Sequence, residues 1–330
     1  MNKLKTIGVS ALCGTLAAVS AHAGEMTVSG SANVTYMTKE KATTGAPLGI
    51  TTGMTFAGSG ELDNGNAVAV NIFHDDQNAF SSADVSIDVA GIGKFTVDQA
   101  GGTGLDRLDD KTPTAWEEPY DAGLGSNIVT ATGVGASTDI ELAISGDMLP
   151  EGLSAYISYA PEAGAGVVND KATGGGDSGL GRGYDIVLEH SGLADGLNVF
   201  GGVSKIDDDR GSDRSARVLG FSFAAGPVTF GAQTLKDELG ENTIDYYDNM
   251  AFGVSFLVND NLSLSYGEHK SERAVEAASK VELKASSLQA AYTMGGATFK
   301  VARSSVDNAS YSTAVGNDYD VSLVAMSLAF

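Results

Sequence analysis

Alternation of apolar and polar side chains at every second residue, in short runs along nearly the whole chain, is the feature that most limits the fold. Successive strand side chains point to opposite faces, so each run builds a strand with one apolar and one polar face. Val28, Gly30, Ala32, Val34 and Tyr36 stand against Thr27, Ser29, Ser31, Asn33 and Thr35. The scheme returns at Val68-Val70-Ile72, Ile140-Leu142-Ile144, Ile186-Leu188, Val228-Phe230 and Leu262-Leu264-Tyr266. The longest strongly apolar face is Met250-Phe252-Val254-Phe256-Val258. Helical periodicity is nearly absent, which makes the chain all-β.

The connections alternate too. Short ones, rich in Gly, Asn and Asp, occur at Leu62-Asp63-Asn64-Gly65, 90–93, 147–152, Leu193-Ala194-Asp195-Gly196, 224–227, 258–261 and 293–296. Those residue types supply the positive φ values of tight hairpins. Between them lie longer polar stretches at 39–48, 75–79, 98–138, 161–183, 206–214, 236–245, 271–280 and 305–317. Seven turns and eight loops predict about sixteen strands. Short turns at one end and long loops at the other are the layout of a transmembrane β-barrel, whose strand number is usually even. A soluble sandwich or solenoid does not separate its connections this way, and long structureless loops are uncommon in compact soluble domains.

The N-terminus predicts export. Lys3 and Lys5 precede an apolar stretch from Ile7 to Val19 and an Ala21-His22-Ala23 cleavage site. That stretch is too short to span a membrane as a helix. Residues 1–23 therefore read as a cleaved signal peptide and 24–330 as a single barrel domain. Cys13 leaves with the signal, so the exported chain holds no cysteine and is not a disulfide-built scaffold. No later segment approaches 18 uninterrupted apolar residues. The chain has 43 Gly, 6 Pro, 42% hydrophobic residues and a formal charge of −22, which becomes about −24 once Lys3 and Lys5 are lost. Such an acidic surface repels phosphate and excludes nucleic acid as a partner.

The C-terminal run sets Asp320, Ser322, Val324, Met326, Leu328 and Phe330 on one face, ending the chain on an aromatic. Soluble termini usually fray into water. This run resembles the closing strand of bacterial outer-membrane β-barrels, which the barrel assembly machinery reads. Phe330 is thus the expected closure residue, its strand pairing with the first around Val28–Tyr36. Together with the signal segment, the rhythm of turns and loops and the long loop at 98–138, the whole exported chain resembles the general bacterial porins, most closely those of the alphaproteobacterial Rhodobacter type. The resemblance implies a sixteen-stranded barrel in the outer membrane, a homotrimer and a water-filled diffusion channel. It also implies a third long loop that folds into the lumen and narrows it. Gly30 and Ala32 offer a small-residue face to a neighbouring copy.

Strand five reads Lys94-Phe95-Thr96-Val97-Asp98, with Phe95 and Val97 toward lipid. The loop after it carries Asp106, Asp109, Asp110, Glu117, Glu118 and Asp121 beside Arg107, Lys111 and the single tryptophan, Trp116. These six carboxylates are the expected pore constriction, where a focused field favours cations. The loop lacks the Pro-Glu-Phe-Gly-Gly-Asp signature of enterobacterial porins, so its roles rest on charge and placement. The alternative is a solvated acidic surface loop. The family sets basic residues on the opposite wall. Strand parity here supplies only Lys94 and Lys300, with Lys205 or Arg217 at a rim. Arg217 and Arg303 share the parity of apolar residues and belong at headgroup level. Weak cation selectivity follows.

Other chemistry finds little support. Asp207-Asp208-Asp209-Arg210-Gly211-Ser212-Asp213 lacks the distal Glu of a calcium loop, and Gly174-Gly175-Gly176-Asp177 does not recur. Acidic loops can still bridge through calcium, although no ligand set stands out. His74, His190 and His269 are scattered, each read as a rim or lumen residue. No nucleophile elbow or P-loop is present, so neither an enzyme nor a cofactor is expected. A non-conducting structural or surface-recognition barrel is the competing reading. A sugar-specific channel would want an aromatic ladder, and inward parity offers only Phe73, Tyr156 and Phe200.

Overall fold

The computed structural model describes residues 26–330 apart from 77–80, 100, 165–178, 210, 241–243 and 276–278. The signal segment, the Gly174–Asp177 run and Arg210 lie outside the described residues. Sixteen strands follow one another among those described. The first eight are β1 (Met26–Glu40), β2 (Leu48–Glu61), β3 (Ala67–Asp75), β4 (Ser82–Val89), β5 (Gly93–Asp98), β6 (Asp139–Ile144), β7 (Leu153–Ala160) and β8 (Leu180–His190). The rest are β9 (Leu197–Asp208), β10 (Arg214–Ala225), β11 (Val228–Glu238), β12 (Ile244–Leu257), β13 (Leu262–Val275), β14 (Val281–Met294), β15 (Ala297–Asp307) and β16 (Tyr319–Ala329). Each pairs with its neighbours in sequence, and β16 returns to β1 to close an antiparallel barrel. Closure leaves no unpaired edge, the condition for strands to sit in lipid.

The turn and loop ends fall where the sequence puts them. At the turn end, β10–β11 and β14–β15 are joined by two-residue hairpins whose Gly226 and Gly295 both take φ of 61°. A side chain at that φ clashes with the backbone, so Gly is the natural occupant.

The seam between the two ends of the chain is built as expected. Its register runs from Ser31 opposite Ala329 to Glu40 opposite Asp320. One residue further, Gly30 N–H donates to Phe330 O at 2.7 Å and Phe330 N–H donates to Gly30 O at 3.0 Å. The Phe330 ring lies over Gly30 so closely that a Cβ there would approach within 2.5 Å of it. Gly30 is therefore filled by its own chain's terminus rather than left open for a neighbouring copy.

Outward faces are apolar and exposed, among them Ile50, Phe56, Ile72, Ile140, Ile186, Phe230, Phe252 and Phe299. In a bilayer this exposure becomes lipid contact. Arg217 and Arg303 do face outward; Arg303 Nη1 donates to Glu40 Oε1 at 2.9 Å.

Candidate functional site: the inward loop and the lumen wall

Residues 101–138, between β5 and β6, fold into the barrel and lie along its inner wall. The loop enters with a 3₁₀ turn, Gly104–Leu108, whose Leu105 and Leu108 are fully buried. Both pack against Val187, Phe200, Ala216, Val218 and Leu235, all inward residues of β8–β11. Farther on, Ala122, Leu124, Ile128 and Val129 pack with Tyr247, Leu283, Val306, Tyr311, Tyr319, Val321 and Leu323. The segment before β16 joins them, since Ser310 N–H donates to Ser126 O at 2.9 Å.

Wall carboxylates hold the loop backbone. Leu105 N–H and Val134 N–H donate to the same Asp185 oxygen at 2.7 and 3.0 Å. Gly104 N–H and Ser158 Oγ donate to Glu141 Oε2 at 2.9 and 3.1 Å. Thr103 Oγ1 donates to Asp139 Oδ1 at 2.8 Å. The Arg107 guanidinium bonds Glu141 and stacks 3.9 Å above the Tyr156 ring. Charge-assisted acceptors of this kind are stronger than neutral ones, and here they consume backbone donors that the loop would otherwise bury unpaired.

Across β11–β14 the loop needs close approach instead. Gly231, Gly253 and Gly267 stand directly opposite one another on three adjacent strands and face inward. Pro113 seats on the first two and Pro119 on the third; a Cβ on Gly253 would lie 2.5 Å from Pro113 O, and one on Gly267 2.6 Å from Pro119 Cγ. Ala115 N–H then donates to Ser265 Oγ at 2.8 Å, and Gln289 Nε2 donates to Glu117 O at 2.7 Å. His269 is buried in this wall with Tyr120 edge-on at 5.1 Å, a lumen residue under the loop.

The expected constriction residues gather. Asp106, Asp109, Asp110, Glu117, Glu118 and Asp121 each come within electrostatic reach of others of the set. Asp106 also folds back on its own loop, accepting from Gly102 N–H at 2.6 Å. Burial, reinforced by the neighbouring carboxylates, pushes Asp109 and Glu117 up to about 7 and Glu118 up to about 8. Asp110 and Asp121 keep their side chains open to the lumen. Of the two expected wall cations, Lys300 belongs to this site: its Nζ sits 4.9 Å over the Trp116 ring and in the field of Glu117. Lys94 lies elsewhere, at the turn end of β5 and opposite Asp88 of β4. Among the described residues, no group of three or more His, Cys, Asp or Glu side chains could hold a metal ion.

The wall residues Asp139, Glu141 and Asp185 and the glycine row escaped the sequence reading. A signal existed: Ile140-Leu142 and Ile186-Leu188 face out, so Asp139, Glu141 and Asp185 had to face in.

Comparison with known proteins agrees with this geometry. The sequence model described as Gram-negative porin matches residues 8–328. Among solved structures, Salmonella typhi OmpF in complex with daunomycin superposes with a TM-score of 0.67 at 15% identity, covering 93% of this chain and 98% of that one. The anion-selective porin of Comamonas acidovorans gives 0.65 at 14% identity, covering 92% and 99%. A multiple mutant of the Rhodobacter blastica porin gives 0.60 at 15% identity, covering 92% and 100%. No protein of curated function matches the sequence.

Proposed function

The chain belongs to the Gram-negative porin family, an outer-membrane barrel, and from that premise we propose that it passes small hydrophilic solutes and ions by passive diffusion, with a weak preference for cations. The observation that supports the preference is the gathering of Asp109, Asp110, Glu117, Glu118 and Asp121 on the inward loop, with Lys300 the wall cation beside them. The wall that the loop leaves uncovered adds Glu61, Asp75, Asp84 and Asp88 on its inward parity against Lys39 and Lys94. Lys39 is drawn aside, its Nζ 4.5 Å over the Tyr319 ring. A passage between two acidic walls concentrates cations and dilutes anions.

No chemical turnover is involved. Size and charge at the narrowest point set what passes, and the apolar outer band holds the barrel in the membrane. The usual assembly of the family, a homotrimer, is part of the proposal, as is recognition of the β16 terminus by the assembly machinery. Planar-bilayer recording tests the channel. Discrete conductance steps with a reversal potential toward the cation side in a KCl gradient are expected. Anion preference would overturn the selectivity alone, whereas silence would favour a non-conducting surface barrel.

A further inference from the structure

We propose that the lumen contains a binding recess for one small neutral polyol of monosaccharide size, formed beneath the inward loop at the turn end of β7–β10. The recess has a volume of about 250 Å³ and is lined by Lys111 of the loop, by inward residues of those strands, by Gly152 and Ser191 of the adjoining connections, and at its rim by His190 and Val199, which have outward parity. That is below the size range of pockets for drug-sized ligands, so it suits a single small solute.

Its chemistry is that of a hydroxyl reader. Lys111 Nζ donates to Glu189 Oε1 at 3.1 Å, and both side chains remain partly exposed to the recess. The pair presents a donor and an acceptor side by side with no net charge. Two neighbouring hydroxyls of a polyol match it, one donating to Glu189 and the next accepting from Lys111. Ser154 stands opposite Glu189 across the sheet, and Asn198 stands opposite Ser222. Hydroxyls and an amide both give and accept hydrogen bonds, as the ligand's own hydroxyls do. Tyr156 and Phe200, which the alternation left as scattered lumen aromatics, line the same recess and supply apolar contact for the C–H face of a ring. Arg107 covers one face of Tyr156, so the ring is held in place. An anion would have to break the Lys111–Glu189 pair in a lumen of acidic character. A simple cation would leave the hydroxyl and aromatic lining unused.

The inference extends the channel reading by naming a solute class, but its test does not depend on conduction. The full-length exported chain in detergent is titrated with D-glucose, and separately with glycine, by saturation-transfer NMR. A saturable glucose signal with millimolar half-saturation is expected, at least tenfold weaker in Glu189→Gln and in the Ser154→Val/Ser222→Val double variant. The second variant leaves the loop's ion pairs intact, so a loss there is not explained by a displaced loop. Thr55→Val, on the uncovered wall, should bind like the parent. Absence of a saturable signal, equal binding by all variants, or preferential binding of glycine would each overturn the polyol assignment. A barrel that conducts without binding glucose loses the recess and keeps the channel; one that binds without conducting does the reverse.

Discussion

Along β1–β4 the inward side chains are Thr27, Ser29, Asn33, Thr55, Ala57 and their neighbours, nearly all half or fully exposed. Along β8–β16 the corresponding positions are closed: Val187, Leu283 and Val321 are 0% exposed and Leu235 is 3%. The strands are the same kind of strand, and the outer faces are apolar in both halves. The difference is what lies on the inside. The first wall is open to the lumen, whereas residues 101–138 lie against the second. A polar lumen face is thus a consequence of wetting, not of the barrel itself. Where a loop replaces water, the inner face has to obey the rules of a protein interior, with apolar contacts, paired polar groups and room for backbone approach.

The comparison breaks most completely if the loop can be lifted. Leu105→Asp places a carboxylate among Val187, Phe200 and Leu235. Loss of a buried Leu side chain alone costs about 2–5 kcal/mol, and an unpaired charge adds to that. The expected result is an intact barrel, resistant to SDS before heating, with larger single-channel conductance and a loop newly open to protease. Unchanged conductance would mean that the loop does not narrow the pore. Asp185→Ala is the next step down. It strands the N–H groups of Leu105 and Val134, each costing roughly 1–3 kcal/mol when left buried and unpaired. Faster amide exchange at those two residues and noisier open-channel current are the outcomes to measure.

How far the sequence foretold this differs between the two halves. The inward loop rested on its length and placement and on the family resemblance, whereas strand number and closure at Phe330 follow from period-two alternation, because water and lipid impose opposite demands on alternate residues. The covered wall was opaque for the same reason. Val187, Leu235, Leu283 and Val321 break the polar inner face, and Gly231, Gly253 and Gly267 read as neutral fillers in it. Only the loop gives them meaning, and the loop meets them across the barrel rather than along the chain. In the site, charge and placement identified the acidic cluster and Lys300. Lys94 has the right parity but lies at the turn end, because parity fixes a face and says nothing about height along the strand.

Equal substitutions on the two walls sharpen the contrast further. Ala285 in β14 is fully buried, whereas Ala57 in β2 is partly exposed to the lumen. Ala285→Leu should destabilise by about 1–3 kcal/mol through overpacking. Ala57→Leu should stay within about 0.5 kcal/mol while lowering conductance. Urea unfolding of the refolded barrel, read beside single-channel records, distinguishes them. Equal costs at both sites would show that the bare wall is packed after all.

The smallest expected effect lies where the two halves face each other, and it is a dependence on pH. Asp109 and Glu117 titrate near 7 and Glu118 near 8 because burial and neighbouring carboxylates disfavour the charged form. Below those values the three are neutral, and the lumen loses part of its negative field. Above them they ionise, and cation preference rises. A raised carboxylate pKa also means that the docked loop binds protons more tightly than the undocked one. Its contribution to docking is present at acid pH and is lost as pH climbs through 7 to 8. Selectivity and loop mobility should therefore increase together between about pH 5 and about pH 9. Glu118→Gln should flatten the upper part of both curves without altering the bare wall. Reversal potentials that do not move across this range would place the three carboxylates outside the conducting path.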